Sequence, residues 1–184
     1  FFLGLGWFSF GLYWIGSAFI VVDTYQTFLM PLAIILLPSF LALFWGCACV
    51  CAKLLTKNKK FSIIYIIVFL SLFEYIRAKI FSGFPWLMPS MVLSSNEYSI
   101  QIFSFIGSFS TNLVTLMLCV LPFILFSNLN GKHFLFTCLL IPILILFSCS
   151  TFRYHNKSFS RIEDHFITLV QPNIAQRNKW NIEN

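Results

Sequence analysis

Two side chains of opposite charge stand together inside an apolar stretch of this sequence. Glu74 and Arg77 lie three residues apart in the run 61–80, the spacing that puts two side chains on one helix face. A carboxylate this deep in an apolar run is costly to keep and marks a functional site by default. Ion pairing is therefore the chemistry to expect of the two. The alternative is an anchor near the membrane surface, with Arg77 and Lys79 reaching out to headgroups. Directly after the pair comes Ser82-Gly83-Phe84-Pro85-Trp86-Leu87-Met88-Pro89. One glycine and two prolines four apart cannot continue a helix. Irregular backbone beside a membrane must be buried in protein or line a wet cavity, so a re-entrant or interfacial loop is expected here. Phe84, Pro85 and Trp86 read either as part of that loop's function or as an aromatic belt anchor. Tyr13-Trp14 falls in the middle of an apolar run, where belt aromatics do not belong. It is expected to face an internal cavity.

No nucleophile or metal constellation is readable. Cys47, Cys49, Cys51, Cys119, Cys138 and Cys149 all fall in apolar runs, whereas disulfide frameworks and zinc sites place cysteine in polar loops at set spacings. They read as small apolar helix residues. His133, His155 and His165 have no metal partners at ligand spacing, and no glycine-rich phosphate loop occurs. No catalytic residue, metal or cofactor is assigned.

The elements that must position these residues are membrane helices. Hydrophobic residues make up 59% of the 184 positions and charged ones 10%, against about a quarter charged in a soluble domain. That excludes an ordinary soluble fold, and it excludes disorder over most of the length. The net charge of +6 does not gather into a face or stripe, so nucleic acid is not a partner. Five apolar spans of roughly membrane-crossing length are expected, 1–22, 29–52, 61–80, 98–126 and 134–151. Ser94 and Glu97 fit a capping box opening the fourth of them, and Pro122 is expected to bend its end. In the first span Gly4, Gly11 and Ala18 recur every seven residues, a stripe that permits close helix packing.

Charge then divides the chain. Residues 1–152 carry ten charged side chains and residues 153–184 carry eight. Lys53, Lys57, Lys59 and Lys60 lie between the second and third spans, and Lys132 between the fourth and fifth. The positive-inside rule puts both loops in the cytoplasm and residues after about 152 on the far side. There, 166–170 reads as a strand ended by Pro172-Asn173. Phe1 is not Met and the chain stops in a polar stretch, so it reads as a fragment open at both ends.

Three stretches together resemble the apolipoprotein N-acyltransferases. Gly11-Leu12-Tyr13-Trp14-Ile15 is similar to their glycine-rich third transmembrane helix. Glu74-Tyr75-Ile76-Arg77 with Gly83-Phe84-Pro85-Trp86 is similar to their E-x-x-R and T-G-F-P-W element. Leu169-Val170-Gln171-Pro172-Asn173-Ile174 through Lys179-Trp180 looks like the opening strand of their nitrilase-like domain and the K-W that follows. The chain departs from the family pattern at Ser90-Met91, where Gly-Tyr is usual, and at Ser110, where a glycine is usual.

The resemblance implies a fold: an α-helical multi-pass membrane bundle of about five helices over 1–151, then over 152–184 a linker and the first strand of a truncated α/β nitrilase-like domain. It implies a bacterial inner-membrane protein that works as a monomer, with its later part in the periplasm. It also implies an activity. A cysteine thiolate would take an acyl chain from a phospholipid, leaving a lysophospholipid, and pass it to the α-amine of a diacylglyceryl-cysteine. A glutamate would act as general base and a lysine would help hold the oxyanion. That triad falls after Trp180 in the family's chain order, so residues 1–184 alone are expected to be inactive. The residues left to lipid binding or gating are Tyr13, Trp14, Glu74, Arg77, Gly83, Phe84, Pro85, Trp86 and Trp180. A multi-pass transporter or scaffold without acyl chemistry, or a decayed inactive fragment, is the competing expectation.

Overall fold

A computed structural model describes residues 1–21, 25–56, 59–80, 83–127, 131–156, 168–171 and 173. Among these residues the regular structure is helical. The helices are α1 (Phe2–Leu12), the short α2 (Gly16–Val21), α3 (Met30–Leu55), α4 (Lys59–Arg77), α5 (Gln101–Phe126) and α6 (Lys132–His155). Single 3-10 stretches at Tyr13–Ile15, Tyr25–Leu29 and Pro89–Ser95 punctuate them.

Each long helix packs on the next one in space: α1 on α3, α3 on α4, α4 on α5 and α5 on α6. Short connections between apolar helices favour this neighbour-to-neighbour order. Phe8, Leu12, Leu41, Ala42 and Trp45 form the core between α1 and α3. Ile63, Ile67, Ile124 and Leu135 join α4, α5 and α6, while Val114, Leu121 and Ile143 join α5 and α6. Much of the remaining apolar surface faces outward, including Phe2, Phe10, Phe28, Phe126 and Phe134. Such an outward-facing apolar shell suits a lipid solvent and not water.

Among the described residues, four helical stretches are long and apolar enough to cross a membrane: Phe2–Ile20, Thr27–Leu55, Gln101–Phe126 and Lys132–His155. The third expected span, 61–80, falls on the 19-residue α4, which is not among these four: two lysines at its start and Glu74 and Arg77 near its end dilute its apolar length. Prolines are accommodated within the helices. Pro31 sits in the first turn of α3 and Pro38 inside it, buried, and Pro142 lies inside α6. Helix α5 runs through Pro122 to Phe126; its departure from helical dihedrals falls at Gly107 (φ 73°, ψ 173°).

The capping box at Ser94 and Glu97 does not form. Pro89–Ser95 is a 3-10 stretch and α5 opens only at Gln101, with no side-chain cap. Ser94 Oγ donates instead to Met91 O at 2.7 Å, and the Glu97 carboxylate accepts from Tyr154 Oη of α6. Proline at 89 favours the tighter turn, and a distant partner takes the carboxylate from the helix start. Of the expected strand, 166 and 167 lie outside the described residues, and Thr168–Gln171 has no regular structure. A strand exists only against a partner, and among the described residues no second extended segment lies beside it.

Candidate functional site

Among the described residues, a buried charged node is built from α1, α3, α4 and the loop after α4. Helix α4 carries Glu74 and Arg77 on one face, and an Arg77 Nη2 to Glu74 Oε2 contact of 2.5 Å closes the pair. Both side chains are buried, at 1% and 2% exposure. Arg77 points inward and does not reach outward as the anchor alternative has it, while Lys79 stays outside with its ammonium 5.8 Å from the Tyr75 ring. A buried ion pair persists only when its remaining groups also find partners.

All but one do so, through three further donors and acceptors. Trp45 Nε1 of α3 donates to Glu74 Oε1 at 2.6 Å, so each carboxylate oxygen has a donor. Arg77 Nη1 donates to Phe84 O at 2.6 Å and to Trp86 O at 3.1 Å. The guanidinium lies over the Phe8 ring of α1, 5.0 Å from its centre, a cation–π contact that strengthens when desolvated. Only the Arg77 Nε donor has no acceptor. The pair thus acts as a bracket: the carboxylate fixes the guanidinium, and the guanidinium holds two loop carbonyls.

The loop's path follows from its residues. Gly83 takes φ +79°, a conformation in which an added Cβ would lie 2.3 Å from Ala78 O. Only glycine fits there, and it turns the chain back over the end of α4. Leu87 also has positive φ, +59°, a rare and strained state for a branched side chain. Its carbonyl accepts from Trp7 Nε1 of α1 at 2.9 Å. Its side chain sits on Gly11, where a Cβ would come within 2.2 Å of Leu87 Cδ1. Pro85 and Trp86 stay exposed and Phe84 half-buried. Phe84 stacks on Trp86 at 6.2 Å, and Trp86 meets Trp14 at 5.4 Å. Beneath, Leu37, Phe40, Leu41 and Phe44 of α3 join Arg77, Ile80, Gly83 and Phe84 around a cavity of about 230 Å³. Outside, Gly6, Trp7, Phe10, Gly11 and Leu87 border an apolar groove of about 560 Å³.

Of the residues singled out from the sequence, Trp14, Glu74, Arg77, Gly83, Phe84, Pro85 and Trp86 come together here. Tyr13 does not face a cavity. It is 72% exposed, because the 3-10 turn Tyr13–Ile15 rotates successive side chains about 120° apart and only Trp14 meets the loop. Trp180 lies outside the described residues. The seven-residue stripe divides likewise: Gly4 packs on Ala42 and Trp45 of α3, Gly11 on the loop's Leu87, and Ala18, beyond the 3-10 turn, is exposed. Sequence reasoning missed Trp7 and Trp45, whose only local signal was an indole in an apolar run. The six cysteines are free thiols on helices, and among the described residues no three His, Cys, Asp or Glu side chains gather as a metal site.

Comparison with known proteins adds a family. A family model described as apolipoprotein N-acyltransferase N-terminal domain matches residues 1–121. A Brucella suis protein named apolipoprotein N-acyltransferase is 31% identical over 182 residues, covering 96% of this chain and 34% of its own length. One of the same name from Rickettsia bellii is 28% identical over 181 residues, covering 98% of this chain and 36% of its own. A third, from Rhizobium rhizogenes, is 40% identical over 83 residues, or 45% of this chain. The chain spans about a third of the length of the first two relatives. No solved structure matches it.

Proposed function

The chain belongs to the apolipoprotein N-acyltransferase N-terminal domain family, and from that premise we propose that it is the membrane portion of an enzyme acylating lipoproteins. The donor is a phospholipid, and the acceptor is the α-amine of an N-terminal diacylglyceryl-cysteine. Residues 1–151 form a five-span transmembrane domain, with α4 as the third span. Residues 152–184 lead into a nitrilase-like domain on the periplasmic face of the inner membrane, which carries the acyl chemistry after Trp180. The protein works as a monomer.

In this reading the membrane portion receives the donor lipid. The Glu74–Arg77 bracket holds the loop so that Phe84 and Trp86, with Trp14, present an aromatic wall to an acyl chain arriving from the outer leaflet. The single observation that supports it most is a buried ion pair whose guanidinium is used to hold two carbonyls of an otherwise irregular loop. A membrane bundle keeps buried charge at a cost, so a loop fixed in this way has a use.

Orientation provides the test. A reporter active only outside the cytoplasm should be active when fused after Ser160 and silent when fused at Asn58. The reverse pattern would place the loop and the following domain on the wrong side for periplasmic lipoprotein acylation, and would overturn the reading.

A further inference from the structure

We infer that Trp7 and Trp45 are positioning residues for the loop, their indole N–H groups setting where Phe84 and Trp86 stand against Trp14. This assignment rests on the loop's role proposed above.

Helix α1 and the 3-10 turn that follows it meet the loop at three places. Trp7 and Gly11 lie four apart on α1 and share one face, and Trp14 follows in the 3-10 turn Tyr13–Ile15. Trp7 donates to Leu87 O at 2.9 Å. Gly11 leaves the bare backbone on which the Leu87 side chain rests. Trp14 meets the Trp86 ring at 5.4 Å. The first contact fixes the loop's height, the second its distance, and the third is the pairing the other two create. Leu87 would not hold a positive φ on its own. Capture of its carbonyl by the Trp7 indole, with the Gly11 seat, over-determines that conformation, as strained backbone at a working site requires.

Trp45 acts one step further back. It satisfies Glu74 Oε1 at 2.6 Å, which leaves Oε2 for Arg77 and so aims Arg77 Nη1 at the carbonyls of Phe84 and Trp86. Without the indole donor, a buried carboxylate oxygen lacks a partner, and the carboxylate rotates to share Arg77. The two indoles also touch each other, with ring centres 6.3 Å apart and planes 29° apart. Three loop carbonyls, those of Phe84, Trp86 and Leu87, are thereby held by side chains whose aim depends on one indole pair.

The test uses the 184-residue chain in lipid nanodiscs, labelled with 5-fluorotryptophan and also followed by hydrogen exchange. Trp7→Phe keeps a ring at a partly exposed position and removes the donor, so it folds; Trp45→Phe does the same in the core. Both should shift the Trp86 fluorine resonance toward its position in Trp14→Phe. In both, amides of 83–91 should exchange roughly five- to tenfold faster, the loss expected for one hydrogen bond, with α5 and α6 unchanged. An unmoved Trp86 resonance in Trp7→Phe, or exchange that rises equally along α1, α3, α4 and the loop, would make the indoles packing residues and overturn the assignment. No lipid enters either readout, so a failure of lipid capture would be seen separately.

Discussion

Removing Glu74 should cost more than its own contacts, and the excess is calculable. In Glu74→Ala the Arg77 guanidinium, 2% exposed, keeps its two loop carbonyls but loses its counter-charge. Breaking a buried pair from one side costs about 3–5 kcal/mol. Trp45 Nε1 is also left without its acceptor, adding about 1–3 kcal/mol for a buried unsatisfied donor. Arg77→Ala leaves a bare carboxylate instead, and frees the carbonyls of Phe84 and Trp86. The double variant has no buried charge to compensate. Its loss should therefore fall short of the summed single losses by about 2–3 kcal/mol, the upper range for directly contacting residues. Glu74→Gln, which keeps acceptor and donor capacity without the charge, should lie between wild type and Glu74→Ala. The measurement is unfolding by sodium dodecyl sulfate in mixed micelles, followed by helix content. Coupling below about 0.5 kcal/mol would mean that the two groups are anchored independently, and the bracket would be wrong.

The glycines under the loop make further predictions. Gly11→Ala drives a methyl group against Leu87 and should cost about 1–3 kcal/mol as overpacking, with faster proteolysis at 83–88; Gly6→Ala, whose Cβ meets nothing within 4 Å, is the matched control and should be silent in the same assay. Gly83→Ala meets both a positive φ and the Ala78 carbonyl, so its unfolding midpoint should drop further than that of Gly11→Ala.

Some of this site was legible in the sequence because it is written locally. The i,i+3 spacing of Glu74 and Arg77 fixes a shared face before any tertiary contact forms, and Gly83 with Pro85 and Pro89 forbids a helix wherever the segment lies. The apolar runs likewise mark the helices to within a few residues at most ends. What was not legible depends on partners distant in the chain. Trp45 is 29 residues from Glu74, and Trp7 is 80 residues from Leu87. An indole in an apolar run has the same local pattern whether it fills a core or donates to a carboxylate. The start of α5 was misplaced for a related reason: Ser94 and Glu97 have capping spacing, but Met91 O and Tyr154 Oη hold those side chains elsewhere. The 3-10 turn at Tyr13–Ile15 gives no composition signal, and it decides that Trp14 and not Tyr13 faces the loop.

The most direct measurement is acyl transfer by a full-length protein carrying this chain, from a phospholipid to a diacylglyceryl-cysteine peptide, compared with its Trp86→Ala variant. Trp86 is 54% exposed, so the substitution leaves the fold in place and removes only the wall offered to the lipid. Transfer by the parent, with kcat/KM for the phospholipid lowered at least about tenfold in the variant (about 1.4 kcal/mol of transition-state stabilisation), is the expected result. No transfer by the parent would contradict the family activity proposed for the chain, and equal kcat/KM in the two proteins would contradict the loop's part in it.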